Sequence, residues 1–287
     1  MNAPRLSPTR YVASVVTGAG IVTALLGMSG PRKTATLPTV RIVAVDYGFQ
    51  LPAEVPSGAM RLQLVNQGHE LHHAQLVRLT QGRTLADLAA LRPDAPPPDW
   101  MVPVGGPGAV GPGDSSSVVQ ALPAGNYAVF CFIPSASDHQ QHMMKGMVAG
   151  FRVTERTGPQ PQLPKADLTV RMLDFGYAPS APIAAGKRVI RVINDGPQLH
   201  EMVLALIQPG KTAADLLAWN PEVATEPPPA RFLGGTVALA PSGESLVEAD
   251  LAPGNYVLIC YIPDAKDGKP HVAHGMVLPF TVKAAGV

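Results

Sequence analysis

Charged and aromatic side chains are both in short supply in this 287-residue chain. Charged residues make up 15% and aromatics 5%, and the formal net charge is only +1. Without a basic field, nothing in the composition points to nucleic acid. The one basic cluster, Arg5, Arg10, Arg32 and Lys33, flanks an apolar leader. Cysteine is limited to two residues, so at most one disulfide can form, which is the default for an exported chain. Long apolar runs are missing beyond the leader, and no later segment is long enough to span a bilayer. The pattern H-x-H does not occur.

Proline (31) and glycine (28) are abundant. Pro/Gly-rich turns between short apolar runs favour an all-β chain. The leader itself, uncharged from Tyr11 to Pro31 and preceded by two arginines, has the pattern of a signal peptide or an N-terminal membrane anchor over residues 1–31. Either would place the rest of the chain in the periplasm or elsewhere outside the cytoplasm.

Beyond the leader the chain repeats itself. "VDYGFQLPAEVPSGAMRLQLVNQGHELHH" from Val45 aligns without a gap with "LDFGYAPSAPIAAGKRVIRVINDGPQLHE" from Leu173, at an offset of 128. "ALPAGNYAVFCFIP" from Ala121 meets "DLAPGNYVLICYIP" from Asp250 at an offset of 129. A period this long marks two domains rather than a solenoid. We place them at 38–154 and 166–285, with the polar, Pro/Gly-rich "ERTGPQPQLPK" at 155–165 as linker. Each copy holds six short strand patterns, such as "MRLQLVNQG" and "NYAVFCFI". One short helix interrupts each copy, N-capped by Thr84 or Thr212. Such a chain should fold as two tandem Greek-key β-sandwiches, each with an inserted helix.

The chemistry-bearing residues that recur in register are few. His72 aligns with His200, Cys131 with Cys260, His142 with His271 and Met147 with Met276. The loop around them varies, "SASDHQQ" against "DAKDGKP", while the Cys-x10-His-x4-Met frame holds. Thiolate and thioether suit copper, imidazole suits either of its oxidation states, and His₂Cys with a weak axial Met is the trigonal blue-copper arrangement. His69, His73, His139 and His274 have no counterpart in the other copy, and Met143 and Met144 read as packing or solvated residues. The competing reading of the cysteines is a Cys131–Cys260 disulfide, which needs Cα atoms within about 7 Å.

"NQGHELHH" with "CFIPSASDHQQHMMKGM", and "NDGPQLHE" with "CYIPDAKDGKPHVAHGM", resemble the cupredoxin (type 1 copper) family in tandem two-domain form. The resemblance implies cupredoxin-like β-sandwiches and up to two coppers per chain. The ligands would be His72, Cys131, His142 and Met147 in one copy and His200, Cys260, His271 and Met276 in the other. It also implies a late histidine near the surface, serving as the point of electron entry. Two departures stand out: the ten-residue Cys-to-His spacing, and His73 or Glu201 where the family often has Asn.

The expected function is electron transfer by an exported copper-binding protein that works with a redox partner protein. No small-molecule substrate and no catalytic residue can be named. A copper carrier or store, or a copper-free binding module, is the alternative. A copper oxidase or nitrite reductase would need further histidines, typically as H-x-H.

Overall fold

The computed structural model describes residues 35–88, 90–91, 96–219 and 226–284. The leader, 1–31, lies outside the described residues. Among the described residues no helix is long and apolar enough to cross a membrane. Both repeats fall within one compact unit, Thr34–Val287.

The fold is all-β. The first repeat supplies β1 (Thr39–Val45), β2 (Gly48–Gln50), β3 (Glu54–Pro56), β4 (Gly58–Asn66), β5 (Gln75–Leu79), α1 (Leu85–Leu88), β6 (Met101–Pro103), β7 (Ser115–Leu122), β8 (Gly125–Phe130) and β9 (Val148–Thr154). The second supplies β10 (Leu168–Leu173), β11 (Gly176–Pro179), β12 (Gly186–Asn194), β13 (His200–Ile207), α2 (Ala213–Ala218), β14 (Ala230–Leu239), β15 (Glu244–Leu251), β16 (Gly254–Ile259) and β17 (Val277–Val282). In β1, Val40, Ile42 and Ala44 turn inward; in β4, Leu62 and Leu64 do, with Arg61 and Gln63 on the other face. That period of two buries one face of each strand. The inserted helices are short. Thr212 and Asp215 form a reciprocal capping box at α2, and the Thr84 backbone N–H and hydroxyl both donate to Asp87 at α1.

Two joints fuse the repeats. In the first, β7 pairs antiparallel with β15, with Val118 opposite Val247, giving one eight-stranded sheet in the order β11-β10-β12-β15-β7-β4-β1-β2. The second is a strap, residues 104–110. On one edge Ala74 N–H donates to the Pro107 carbonyl and Leu76 N–H to that of Gly105. On the other, Gly105 N–H donates to Ala238 and Gly108 N–H to Gly235. The strap thereby links the sheet β3-β9-β8-β5-β6 to the sheet β14-β13-β16-β17. Its bridges are Val104 to Leu239, Pro107 to Thr236 and Val110 to Leu233. The outer two bridges are equivalent under the repeat offset of 129, so an approximate two-fold axis passes between Pro107 and Thr236.

Glycine permits this contact. A Cβ on Gly235 would lie 1.8 Å from the Met202 carbonyl oxygen, and one on its equivalent Gly106 would lie 2.2 Å from that of Ala74. Both also have positive φ, at 95° and 130°. Arg61 and Glu248 form a bidentate pair across the joint at 2.6 and 2.8 Å, but both are partly exposed and such a pair contributes less than about 1 kcal/mol. Backbone pairing and a shared apolar core, which includes Val110, Val118, Leu239 and Val247, hold the halves together.

Five strands were not visible as sequence patterns: β2, β3, β6, β11 and β14. The first four are three or four residues long. The ten-residue β14 contains Gly234-Gly235 and lacks an alternating pattern, because beside the strap most of its residues are buried on both faces.

Candidate metal centres

Each candidate donor is placed by a short local device. His72 follows β4 and exchanges both backbone hydrogen bonds with Val110 in the strap, at 3.2 and 3.0 Å. His200 opens β13, opposite Leu239 of β14. Cys131 and Cys260 directly follow β8 and β16. His142 and His271 each start a one-turn 3-10 helix, ended by Gly146 and Gly275 at φ 100° and 95°. Within this turn Met147 N–H donates to the His142 carbonyl and Cys131 N–H to the Met147 carbonyl, and Met276, His271 and Cys260 repeat the arrangement. His142 N–H donates to Ile133 and His271 N–H to Ile262, which folds the long Cys-to-His loop back on its own start.

The side chains converge. In the first repeat His72 Nδ1 lies 3.1 Å from His142 Nδ1, and Cys131 Sγ lies 3.9 and 3.5 Å from those two nitrogens. In the second, His200 Nδ1 is 3.0 Å from His271 Nδ1 and Cys260 Sγ is 3.3 Å from the latter. Both trios meet as potential metal-ligand groups. All six residues are fully buried, as are Met147 and Met276, which belong to the same apolar cluster as the cysteines. Both cysteines are free, each in its own centre.

The outer hydrogen bonds orient the donors. His72 Nε2 faces the Asp46 carboxylate at 3.1 Å and His142 Nε2 faces Glu70 at 2.6 Å. If these nitrogens donate, both Nδ1 atoms are left as lone pairs pointing at each other beside a thiol. A cation between them is what this arrangement accommodates. Taking zinc bond lengths of about 2.0 Å to nitrogen and 2.3 Å to sulfur as a guide, a planar three-coordinate ion needs N···N of about 3.5 Å and N···S of about 3.7 Å. The observed spacings need only small adjustments, and His₂Cys with a nearby Met is a copper-type donor set. In the second repeat His200 Nε2 is hydrogen-bonded to Asp174, while His271 Nε2 is buried without a partner among the described residues.

Burial governs the electrostatics. It pushes the Cys131 thiol up to about 11 and raises that of Cys260 further, so each stays protonated until a cation compensates the thiolate. Burial lowers His72, His200 and His271, keeping these imidazoles neutral and able to ligate. For Asp46, burial opposes ionisation, but hydrogen bonds from His69 and His72 outweigh it and hold the carboxyl below the usual range. Glu70 is likewise lowered: burial is outweighed by its hydrogen bonds with His142 and Ser135.

Several of these supporting residues are not evident from sequence motifs. Asp46 and Asp174 recur at an offset of 128, as do Asn66 and Asn194, and that recurrence was the available signal. Asn66 Nδ2 donates to the Glu70 and Val110 carbonyls and Asn194 Nδ2 to those of Gln198 and Leu239. Each Asn also accepts the N–H of a glycine, Gly68 or Gly196, where a Cβ would lie 2.6 or 2.5 Å from the first histidine's Nε2. His73 and Glu201, which depart from the family's Asn, both accept the backbone N–H after the cysteine: Phe132 to His73 Nε2 and Tyr261 to Glu201 Oε1, each at 2.9 Å. The tie between ligand loops is therefore present with different chemistry. The surface position that the resemblance implies for His142 and His271 is not found, since both are fully buried.

The remaining singled-out residues lie apart. His69 is exposed and paired with Asp46, and His139 is exposed. His274 is exposed, bonds Asp267 and stacks on Phe175. Met143 packs on a satellite core and Met144 is exposed. A third group, Asp264, Asp267 and His274, is accounted for by loop capping, since Asp264 accepts the backbone N–H groups of Lys266 and Asp267.

No family model matches the chain and no curated protein is recovered as a relative. Among solved structures it is similar to a dithionite-reduced auracyanin from Roseiflexus castenholzii, at 22% identity over 42% of this chain and 98% of that one, with a TM-score of 0.30. Auracyanin A, a "blue" copper protein from Chloroflexus aurantiacus, matches at 17% identity over 40% and 98%, with a TM-score of 0.27. A multicopper oxidase matches at 15% over 86% of this chain and 89% of that one, with a TM-score of 0.25. Both halves bring a His, a Cys and a second His together in the chain order that the resemblance to the cupredoxin family implies.

Proposed function

We propose that the chain is an exported electron-transfer protein with two type 1-like copper centres. Centre 1 would comprise His72, Cys131, His142 and Met147, and centre 2 His200, Cys260, His271 and Met276. The observation that carries this reading is the pair of buried imidazoles in each repeat, with Nδ1 atoms 3.1 and 3.0 Å apart beside a buried free cysteine. Copper would supply one-electron redox chemistry. The chain's part is to hold three donors close together in a dry site, so that little has to move when the metal's charge changes. A redox partner protein would dock over a ligand loop, and the periplasm or another extracytoplasmic compartment fits the leader.

A copper carrier or store is the second reading, favoured by the complete burial of His142 and His271. An oxidase or nitrite reductase finds no further histidine cluster among the described residues.

Loading the mature protein with Cu(II) should give the intense thiolate-to-copper colour and up to two coppers per chain. Cys131→Ser and Cys260→Ser should each remove one copper and its share of the colour. No colour, with copper uptake unchanged in the double variant, would sink the copper-centre reading. Reversible reduction and reoxidation by a partner would favour electron transfer over storage.

A further inference from the structure

The two centres differ in where one carboxylate sits. In centre 1, Glu70 Oε2 lies 2.6 Å from His142 Nε2, while its Oε1 accepts the Ser135 hydroxyl. In centre 2 the equivalent positions hold Gln198 and Asp264. Gln198 Nε2 donates to Asp264 and Asp174, its Oε1 accepts the Ala265 N–H, and His271 Nε2 has no partner among the described residues. From centre 1 to centre 2 the acid thus moves one residue outward, from direct contact with the imidazole to the far side of an amide, and the bond to the imidazole is lost. Asp46 and Asp174 occupy matching places on His72 and His200, so they do not distinguish the centres.

A carboxylate that accepts the outer N–H of a ligating imidazole raises its basicity and places negative charge close to the metal. Both effects favour Cu(II) over Cu(I). We propose that Glu70 is a positioning residue that makes the two centres unequal, holding centre 1 at a lower reduction potential than centre 2. The inference rests on the copper reading. In a chain carrying two coppers and one transferable electron, the electron then resides on centre 2: Cu(I) at centre 1 and Cu(II) at centre 2 become Cu(II) and Cu(I), with one electron exchanged and no proton moved. Besides Glu70 and the matched pair Asp46 and Asp174, Glu201 is a carboxyl residue beside a donor, Cys260, and its counterpart His73 is not acidic, so Glu201→Gln serves as the background that removes its charge.

The test is a spectroelectrochemical titration of the copper-loaded Glu201→Gln chain. Cys260→Ser isolates centre 1 and Cys131→Ser isolates centre 2. Centre 1 should titrate at the lower potential. Glu70→Gln should lower the ratio of Cu(II) to Cu(I) affinity at centre 1 about tenfold, which raises its potential by about 59 mV for one electron, and leave centre 2 unmoved. The reciprocal pair Gln198→Glu with Asp264→Ser should lower centre 2, and it keeps the test decisive if Glu70→Gln folds poorly. Equal potentials, or no movement in either exchange while both coppers stay bound, would overturn the proposal and leave the copper reading standing. Failure of the parent chain to take up copper would overturn both.

Discussion

In the first repeat the outer nitrogen of His142 meets Glu70; in the second the same nitrogen of His271 meets no partner among the described residues, and Gln198 stands in Glu70's place. Around the cysteines the contrast runs the other way. Centre 1 uses a neutral, half-buried imidazole, His73, which desolvation pushes down to about 3, to hold the Phe132 N–H. Centre 2 uses a buried carboxyl, Glu201, which burial pushes up to about 7. The candidate donors and their immediate backbone are the same in both copies. Apart from the matched Asp46 and Asp174, the groups around those donors differ in charge, Glu70 against Gln198 and His73 against Glu201. A duplicated site can therefore diverge electrically without moving a ligand, because outer hydrogen bonds can be exchanged while the buried donors remain packed.

Disrupting the strap glycines should give the largest effect, and it asks whether the halves are equivalent at their joint. Gly106→Ala and Gly235→Ala each drive a Cβ into a backbone carbonyl at positive φ, so each should destabilise by about 3 kcal/mol. Chemical denaturation would check it, and a neutral result at Gly106 alone would show that only the β14 side of the joint is tightly packed.

The pH dependence of stability should separate His73 from Glu201. A carboxyl with its folded pKa raised from 4.5 to about 7 keeps its proton in the folded chain while the unfolded chain loses it. Glu201 should thus cost the metal-free protein roughly 3 kcal/mol as pH rises from about 4.5 to 7, while His73, with its folded pKa lowered from 6.5 to about 3, adds stability as pH rises toward 6.5. Glu201→Gln, which keeps an acceptor for the Tyr261 N–H, should remove that loss, so denaturant midpoints should rise more steeply with pH across the window. An unchanged pH profile would remove Glu201 as the source of the loss.

The smallest effect should come from the carboxylates that match. Asp46→Asn and Asp174→Asn should each weaken copper binding at their own centre by about 10–100-fold. Competition with a chelator in the single-cysteine backgrounds would measure it. A much larger loss at centre 2 would mean that Asp174, as the sole carboxylate on an imidazole there, does more than Asp46, which shares its centre with Glu70.

Much of this is legible in the sequence. The twelve longer strand patterns fall on observed strands, with "SSSVVQAL" and "ESLVEADL" matching β7 and β15 end to end. The recurrent His, Cys and His side chains meet in both repeats. The expected helix caps Thr84 and Thr212 precede α1 and α2, Thr84 bonded to Asp87 and Thr212 in a capping box with Asp215. The features that stayed hidden depend on distant partners. Asp46 lies 26 residues from His72, and its role is defined only once β1 and β4 lie side by side. The strand β14 has two adjacent glycines and no alternating pattern, and it becomes a strand because the strap of the other repeat supplies its second edge.

By itself the sequence determined the duplication, the all-β character and the soft donor set. Those come from local periodicity and from residue types that recur at a constant offset. Only the tertiary structure decided that the repeats share one sheet and a strap, that the late histidines are buried, and that one carboxylate contacts an imidazole in centre 1 and stands off in centre 2. Each of these depends on which groups approach within hydrogen-bond distance across the fold, and spacing along the chain does not specify that.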